Sequence, residues 1–180
     1  MIPLGPIGLA SSYPYTDDAA VVADEAQHVE SLGFSTLWRS GNLPMIEAAV
    51  RATTSIPVAT GIIPVDSVPA ADVVATYESL QRDHPGRFIV GVGGAHGARP
   101  VETLNVYLDE LDSAGIGADA RVHHVSDRLL DGITAWGDVD AIAARVGEYL
   151  AAGADQVVLR LLGADDERVW RARLAEALIG

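Results

Sequence analysis

The chain contains no cysteine, so disulfides, thiolate metal sites and cysteine nucleophiles are excluded. It also contains no lysine: every one of the 12 basic residues is an arginine. That removes Schiff-base chemistry and the lysine of a phosphate-binding P-loop. Positive charge is scarce, because 25 acidic residues leave a formal net charge of −13. Nucleic acid and anionic membrane surfaces are therefore not expected partners, since phosphate binding needs clustered cations. Long hydrophobic runs are missing too. Although 49% of the 180 residues are hydrophobic, no stretch is long enough to span a bilayer, and the apolar start lacks the basic and hydrophobic regions of a signal peptide. The expectation is one cytoplasmic domain over residues 1–180, large enough to bury a real core.

What is present is a cadence. Residues 6–11 (PIGLAS), 36–40 (TLWRS), 57–65 (PVATGIIPV), 88–94 (FIVGVGG) and 156–162 (QVVLRLL) read as strands, nearly all followed by a helical pattern. Thr16 or Asp17 can cap the first helix, whose apolar face would use Ala20, Val21, Ala23, Ala26, Val29 and Leu32 before Gly33 stops it. Asp66 or Ser67 can cap another, with Pro69 in its first turn and Val73, Val74, Tyr77 and Leu80 inward until His84-Pro85-Gly86. Residues 101–114 repeat the pattern with Leu104, Tyr107, Leu108 and Leu111, and Asp138 caps a helix carrying Ile142, Val146 and Leu150. The phrases SLGFSTLW and AAGADQVVL repeat a helix-glycine-strand passage. This is the signature of an α/β fold built from βαβ units around a parallel sheet. Gly91, Gly93 and Gly94 fall at the C-terminal end of a strand, the edge where such folds place ligands.

Five segments in order resemble the luciferase-like monooxygenase superfamily, and within it the actinobacterial branch dependent on the deazaflavin coenzyme F-420. They are GFSTLWRSGN at 33–42, PVATGI at 57–62, PGRFIVGVG at 85–93, YLDELDSAG at 107–115 and AWGDVDAIAARVGEYLAAGADQVVL at 135–159. The resemblance implies a TIM-type barrel that binds a flavin or deazaflavin at its strand ends and transfers a hydride or activates oxygen. A complete barrel needs eight strands, and this chain offers five, or six if RVHHV at 121–125 is a strand rather than a linker. The family's fifth to seventh strands are missing between the helix at 101–114 and Ser126-Asp127-Arg128. The expected fold is therefore an incomplete TIM-type (β/α) barrel of five or six mainly parallel strands flanked by helices, with the first strand between the second and the last. Such a sheet leaves the edge at 88–92 open. A homodimer joined there is the expected cover, and a monomer whose residues 117–136 fold back over the edge is the alternative.

The resemblance also implies a site. The ring of coenzyme F-420 or flavin mononucleotide (FMN) would lie across Gly61 and Ile62, where relatives carry a non-proline cis peptide; trans strand geometry is the alternative reading. Ser11, Ser40 and the Gly93-Gly94 loop would hold it. Gly41 and Asn42 stand where deazaflavin dehydrogenases of this superfamily carry an Asp-His pair, so no catalytic acid-base residue is assigned. Asn42 can still bond a ring edge, or serve only as a turn residue. His96 follows the glycine loop, which would face the pocket, and histidine is the side chain suited to proton transfer at neutral pH; the alternative is a solvated loop histidine. His123 and His124 point to opposite faces of an extended segment and make no metal site. The acidic runs at 17–18, 109–110 and 165–167 read as caps and solvated faces. Trp38, Trp136 and Trp170 read as core or interface anchors. Arg39, Arg99 and Arg160 are the only evident cations for a cofactor phosphate. The expected function is an oxidoreductase or monooxygenase acting on a small organic substrate. The alternative is a catalytically degenerate luciferase-like scaffold, or a flavin-binding protein without turnover.

Overall fold

The computed structural model describes residues 4–12, 14–116 and 137–180. The RVHHV segment, His123, His124, Trp136 and the fold-back segment at 117–136 lie outside the described residues.

Five short strands form one parallel sheet: β1 (Ile7–Ala10), β2 (Thr36–Arg39), β3 (Val58–Thr60), β5 (Phe88–Ile89) and β7 (Val157–Leu159). Their order is β5-β3-β2-β1-β7, with the first strand between the second and the last. The register aligns Leu159, Leu9, Leu37, Val58 and Phe88 in one row across all five strands. These residues belong to or pack against the core on the helical side. Side chains alternate along a strand, so the next row, Ala10, Trp38, Ala59 and Ile89, lies on the opposite face. A closed barrel would turn that face inward. This is an α/β fold of the incomplete TIM type, a parallel five-stranded sheet flanked by helices.

The helices are α1 (Ala19–Ser31), α2 (Leu43–Ala52), α3 (Ala70–Asp83), α4 (Pro100–Ser113), α5 (Val139–Ala151) and α6 (Glu167–Leu178). The cap of α1 is Asp18 rather than Thr16 or Asp17: its carboxylate accepts from the amides of Ala20 at 2.9 Å and Val21 at 3.4 Å. The Thr16 hydroxyl instead accepts from the Asp18 amide at 3.1 Å. The buried stripe consequently runs through Val22, Ala26 and Val29, an i, i+4, i+7 series, and Val21 points outward. The third helix starts behind Pro69, not Asp66 or Ser67, and has no side-chain cap. Asp138 caps α5 as the sequence suggests, accepting from the Ala141 amide.

The loop from Thr53 to Ile56, which delivers the chain from α2 into β3, is clamped by opposite charges. The Glu30 carboxylate of α1 accepts from the amides of Thr54 at 3.0 Å, Ser55 at 2.6 Å and Ile56 at 2.9 Å. Burial raises the Glu30 pKa, but those amides and the Ser55 hydroxyl outweigh it and bring it down to about 2. On the other side, the buried Arg87 guanidinium donates to the carbonyls of Ile56 and Thr53 at 2.8 and 3.0 Å. One anion thus satisfies the loop's donors and one cation its acceptors, which an irregular, half-buried segment requires. Among the described residues no helix is long and apolar enough to cross a membrane.

Candidate functional site

Two of the expected strands are interrupted at the same level. The segment 57–65 divides into β3 and β4 (Ile63–Pro64), and 88–94 divides into β5 and β6 (Val92–Gly93), with β4 and β6 pairing in parallel as a separate two-stranded sheet. Thr60 explains the break. Its hydroxyl accepts from the Gly91 amide at 2.8 Å and donates to the Gly91 carbonyl at 3.0 Å, replacing the backbone ladder at that step. A Cβ at Gly91 would stand 2.2 Å from the Thr60 carbonyl oxygen, so only glycine permits the approach. The next peptide, Gly61-Ile62, is cis.

These interruptions build a platform at the C-terminal ends of the strands. Ile62 is 42% exposed, and its side chain lies over the Gly93-Gly94 loop: a Cβ on either glycine would come within 3.2 Å of its Cδ1. The space left by these glycines is thus filled by Ile62, and a flat ligand would rest on the outer face of Ile62 rather than on the glycine backbone. Gly41 supports the platform from behind, where a Cβ would meet the Ile63 Cα at 2.6 Å and the Ile62 carbonyl oxygen at 2.8 Å. Gly61 rests beside the Trp38 indole, which also spans Gly8 on β1. The Trp38 Nε1 donates to the Gln156 side chain at 3.0 Å. That side chain in turn donates to the carbonyls of Leu4 and Gly5 at 2.8 and 2.9 Å.

His96 closes one side of the platform. Its amide donates to Asp66 at 2.7 Å, its Nδ1 is hydrogen-bonded to the Gly94 carbonyl and lies 3.6 Å from the Asp66 carboxylate, and its side chain is 82% exposed. Gly61, Ile62, Gly93, Gly94 and His96 therefore lie together on the platform, with the buried Gly41 packed behind it. Ser11 and Asn42 are placed differently. Ser11 is 1% exposed and its hydroxyl has no partner among the described residues. Asn42 gives its side-chain amide to Asp17 at 2.7 Å, without capping α2. Ser40 sits half-buried between β2 and α2. Among the described residues no group of three or more His, Asp or Glu side chains is arranged for a metal ion.

Behind the ends of β1 and β2 lies a buried ionic cluster that the sequence does not announce. Glu25 of α1 accepts from Arg39, from Arg171 at 2.7 Å and from the Ser12 amide at 2.9 Å, while Arg171 also donates to Glu167 at 2.9 Å. Burial raises the Glu25 pKa, but the Ser12 amide and the two arginines prevail, and the net displacement is downward. Apart from the i,i+4 pair of Glu167 and Arg171, the cluster joins residues 12, 25, 39 and 171 across separations too long for any local pattern to reveal. Arg39 is thereby committed to Glu25. Arg99 is likewise paired, to Glu102 at 2.8 Å. Two open depressions follow the outer surface of α4, lined among others by Arg99, Glu102 and Val106, and share no residue with the platform.

No protein-family model and no curated protein matches the chain. Among solved structures, it is similar to an F420-dependent secondary alcohol dehydrogenase in complex with an F420-acetone adduct, at 20% identity over 68% of this chain and a TM-score of 0.50. It also matches a structure described as apo-MsnO8, at 12% identity over 78% of this chain and a TM-score of 0.47. The chain spans 45% and 52% of those two proteins, about half of each. At this identity the first likeness establishes a shared fold.

Proposed function

We propose that the chain binds a deazaflavin or flavin ring, coenzyme F-420 or FMN, on the Ile62 platform and serves an oxidoreductase reaction on a small organic substrate. The observation that carries this reading is the platform of Gly61, Ile62, Gly93, Gly94 and His96, backed by Gly41, at the C-terminal strand ends, the edge that parallel α/β folds use for ligands. The fold shared with a deazaflavin-dependent dehydrogenase supports it, as do the five sequence segments that resemble the luciferase-like superfamily.

The residues present fit a planar ring. Ile62 offers an exposed apolar face held from behind by backbone, and the buried, unpartnered Ser11 hydroxyl supplies a spare polar group near the same strand ends. When bound, such a ring supplies the hydride or electron chemistry. The chain's part is to support one ring face on Ile62, keep water from that face, and present His96 at the edge. There His96 can hold or pass a proton at Nε2 while Nδ1 stays with Gly94.

The test is calorimetry of the purified protein with FMN and with coenzyme F-420 at micromolar concentrations, repeated with Gly93→Val. The added branch meets Ile62 Cδ1 and must displace it, so binding should be lost while circular dichroism is retained. Unchanged affinity in the folded variant would place the ring elsewhere. A second reading, binding without turnover, is favoured by Asn42, whose side-chain amide is held by Asp17 at a position where relatives carry a catalytic pair. Tight ring binding with no substrate-dependent change in the cofactor's absorbance would select it.

A further inference from the structure

We propose that Arg160, seated against Tyr15 at the end of β7, is the docking point for a phosphate monoester group on a ligand whose flat part lies at Ile62; the latter half of this statement rests on the function proposed above. Three arginines stand as candidates for an anionic group, and the structure separates them. Arg39 is buried against Glu25, and Arg99 is turned into the first turn of α4 by Glu102. Among the described residues, Arg160 alone of the three has a neutral partner: its Nη2 donates to the Tyr15 hydroxyl at 2.6 Å, and its guanidinium carbon lies 5.5 Å from the centre of the Tyr15 ring. A guanidinium held by a neutral hydroxyl presents its other donors in a planar fork suited to two phosphate oxygens.

Position agrees with chemistry. Gln156, Val158 and Arg160 alternate onto the face that bears Trp38, as the Gln156 contact to the indole requires. In the order β3-β2-β1-β7, Arg160 is three strand spacings from β3, which ends at Thr60 just before Ile62, roughly 14 Å at ~4.8 Å per step. That separation suits an extended phosphate-bearing tail. The neighbouring helix starts offer no competing site, because Asp166 takes the amides of Arg168 and Val169, and Asp18 those of Ala20 and Val21. An anion arriving at this corner must be met by a side chain.

The experiment has two arms. In the first, calorimetry compares FMN with riboflavin, which lacks the phosphate, on the wild type, Arg160→Gln and Arg99→Gln. FMN should bind about tenfold or more tightly than riboflavin; Arg160→Gln should erase that ratio, and Arg99→Gln should keep it. A preserved ratio in Arg160→Gln, or its loss in Arg99→Gln, overturns the proposal. In the second arm, inorganic phosphate is titrated at low ionic strength while the Arg160 Nε–Hε resonance is followed by NMR, assigned through its disappearance in Arg160→Gln. A saturating shift supports the docking point even if neither flavin binds, in which case only the ring reading falls. No shift at Arg160 overturns the docking point itself.

Discussion

Replacing Glu30 by glutamine should destabilise the protein at neutral pH and leave it little changed in acid. The substitution keeps the shape and one acceptor but removes the charge that three consecutive amides share. A carboxylate taken from 4.5 to about 2 corresponds to ~3.4 kcal/mol at most. Glu30 is only partly buried, so water screens the interaction, and the expected loss is about 1–2 kcal/mol. For a chain of this size that lowers the melting temperature by roughly 2–8 °C. Because the folded-state pKa lies below the unfolded one, this stabilisation is complete above 4.5 and is lost as pH falls toward 2. Urea titrations of wild type and variant at pH 7, 5 and 3 would measure it: the gap should persist at pH 5 and narrow at pH 3. Equal midpoints at pH 7, or a gap that does not shrink in acid, would refute the reasoning that the amides of this loop are held by charge.

The opposite jaw of the same clamp gives a second expectation. Arg87→Met strands the carbonyls of Thr53 and Ile56 and should cost about 2–4 kcal/mol in urea unfolding; combined with Glu30→Gln it should be non-additive, and strict additivity would argue against a shared loop. For His28 of α1, burial first, then Arg168 and Arg171, lower the pKa below 6.5. Its contribution is present above 6.5 and fades as pH falls through the folded value, so thermal melts from pH 7.5 to 5 should lose less stability in His28→Gln than in the wild type. An identical slope would remove His28 as the cause. Gly91→Ala should destabilise by roughly 1–3 kcal/mol, because its Cβ would collide with a backbone oxygen rather than a movable side chain; a neutral effect would mean that the Thr60 bridge yields easily. Among the described residues β5 pairs only with β3 and β6 only with β4, so this edge invites a second copy. An interface above ~1,000 Å² should give a dimer mass in light scattering at micromolar concentration, and a monomer mass throughout would reject the dimer.

The sequence by itself determined the architecture. Short β-branched runs ended by glycine or proline, each spaced from the next by a helix length, admit little besides parallel βαβ units, and the right-handed crossover then orders the strands. It also marked Gly93 and Gly94, because glycines at a strand end are a local signal, whereas Gly41, Gly61 and Ile62 came forward only through the resemblance. Where sequence reasoning missed, the deciding contact was either a cap displaced by one residue or a partner distant in the chain. The α1 cap and buried stripe depended on which carboxylate reaches the first amides and which face meets the sheet. The split of two strands depended on Thr60 meeting Gly91, 31 residues away in the chain. Only the tertiary structure showed that Ile62, not a ligand, fills the space over the Gly93-Gly94 loop, and that Glu25 claims Arg39 while Arg160 is left to Tyr15. Hydrophobic period and glycine placement are written locally, whereas the pairing of charges and the filling of space are settled only when distant segments come within hydrogen-bond reach.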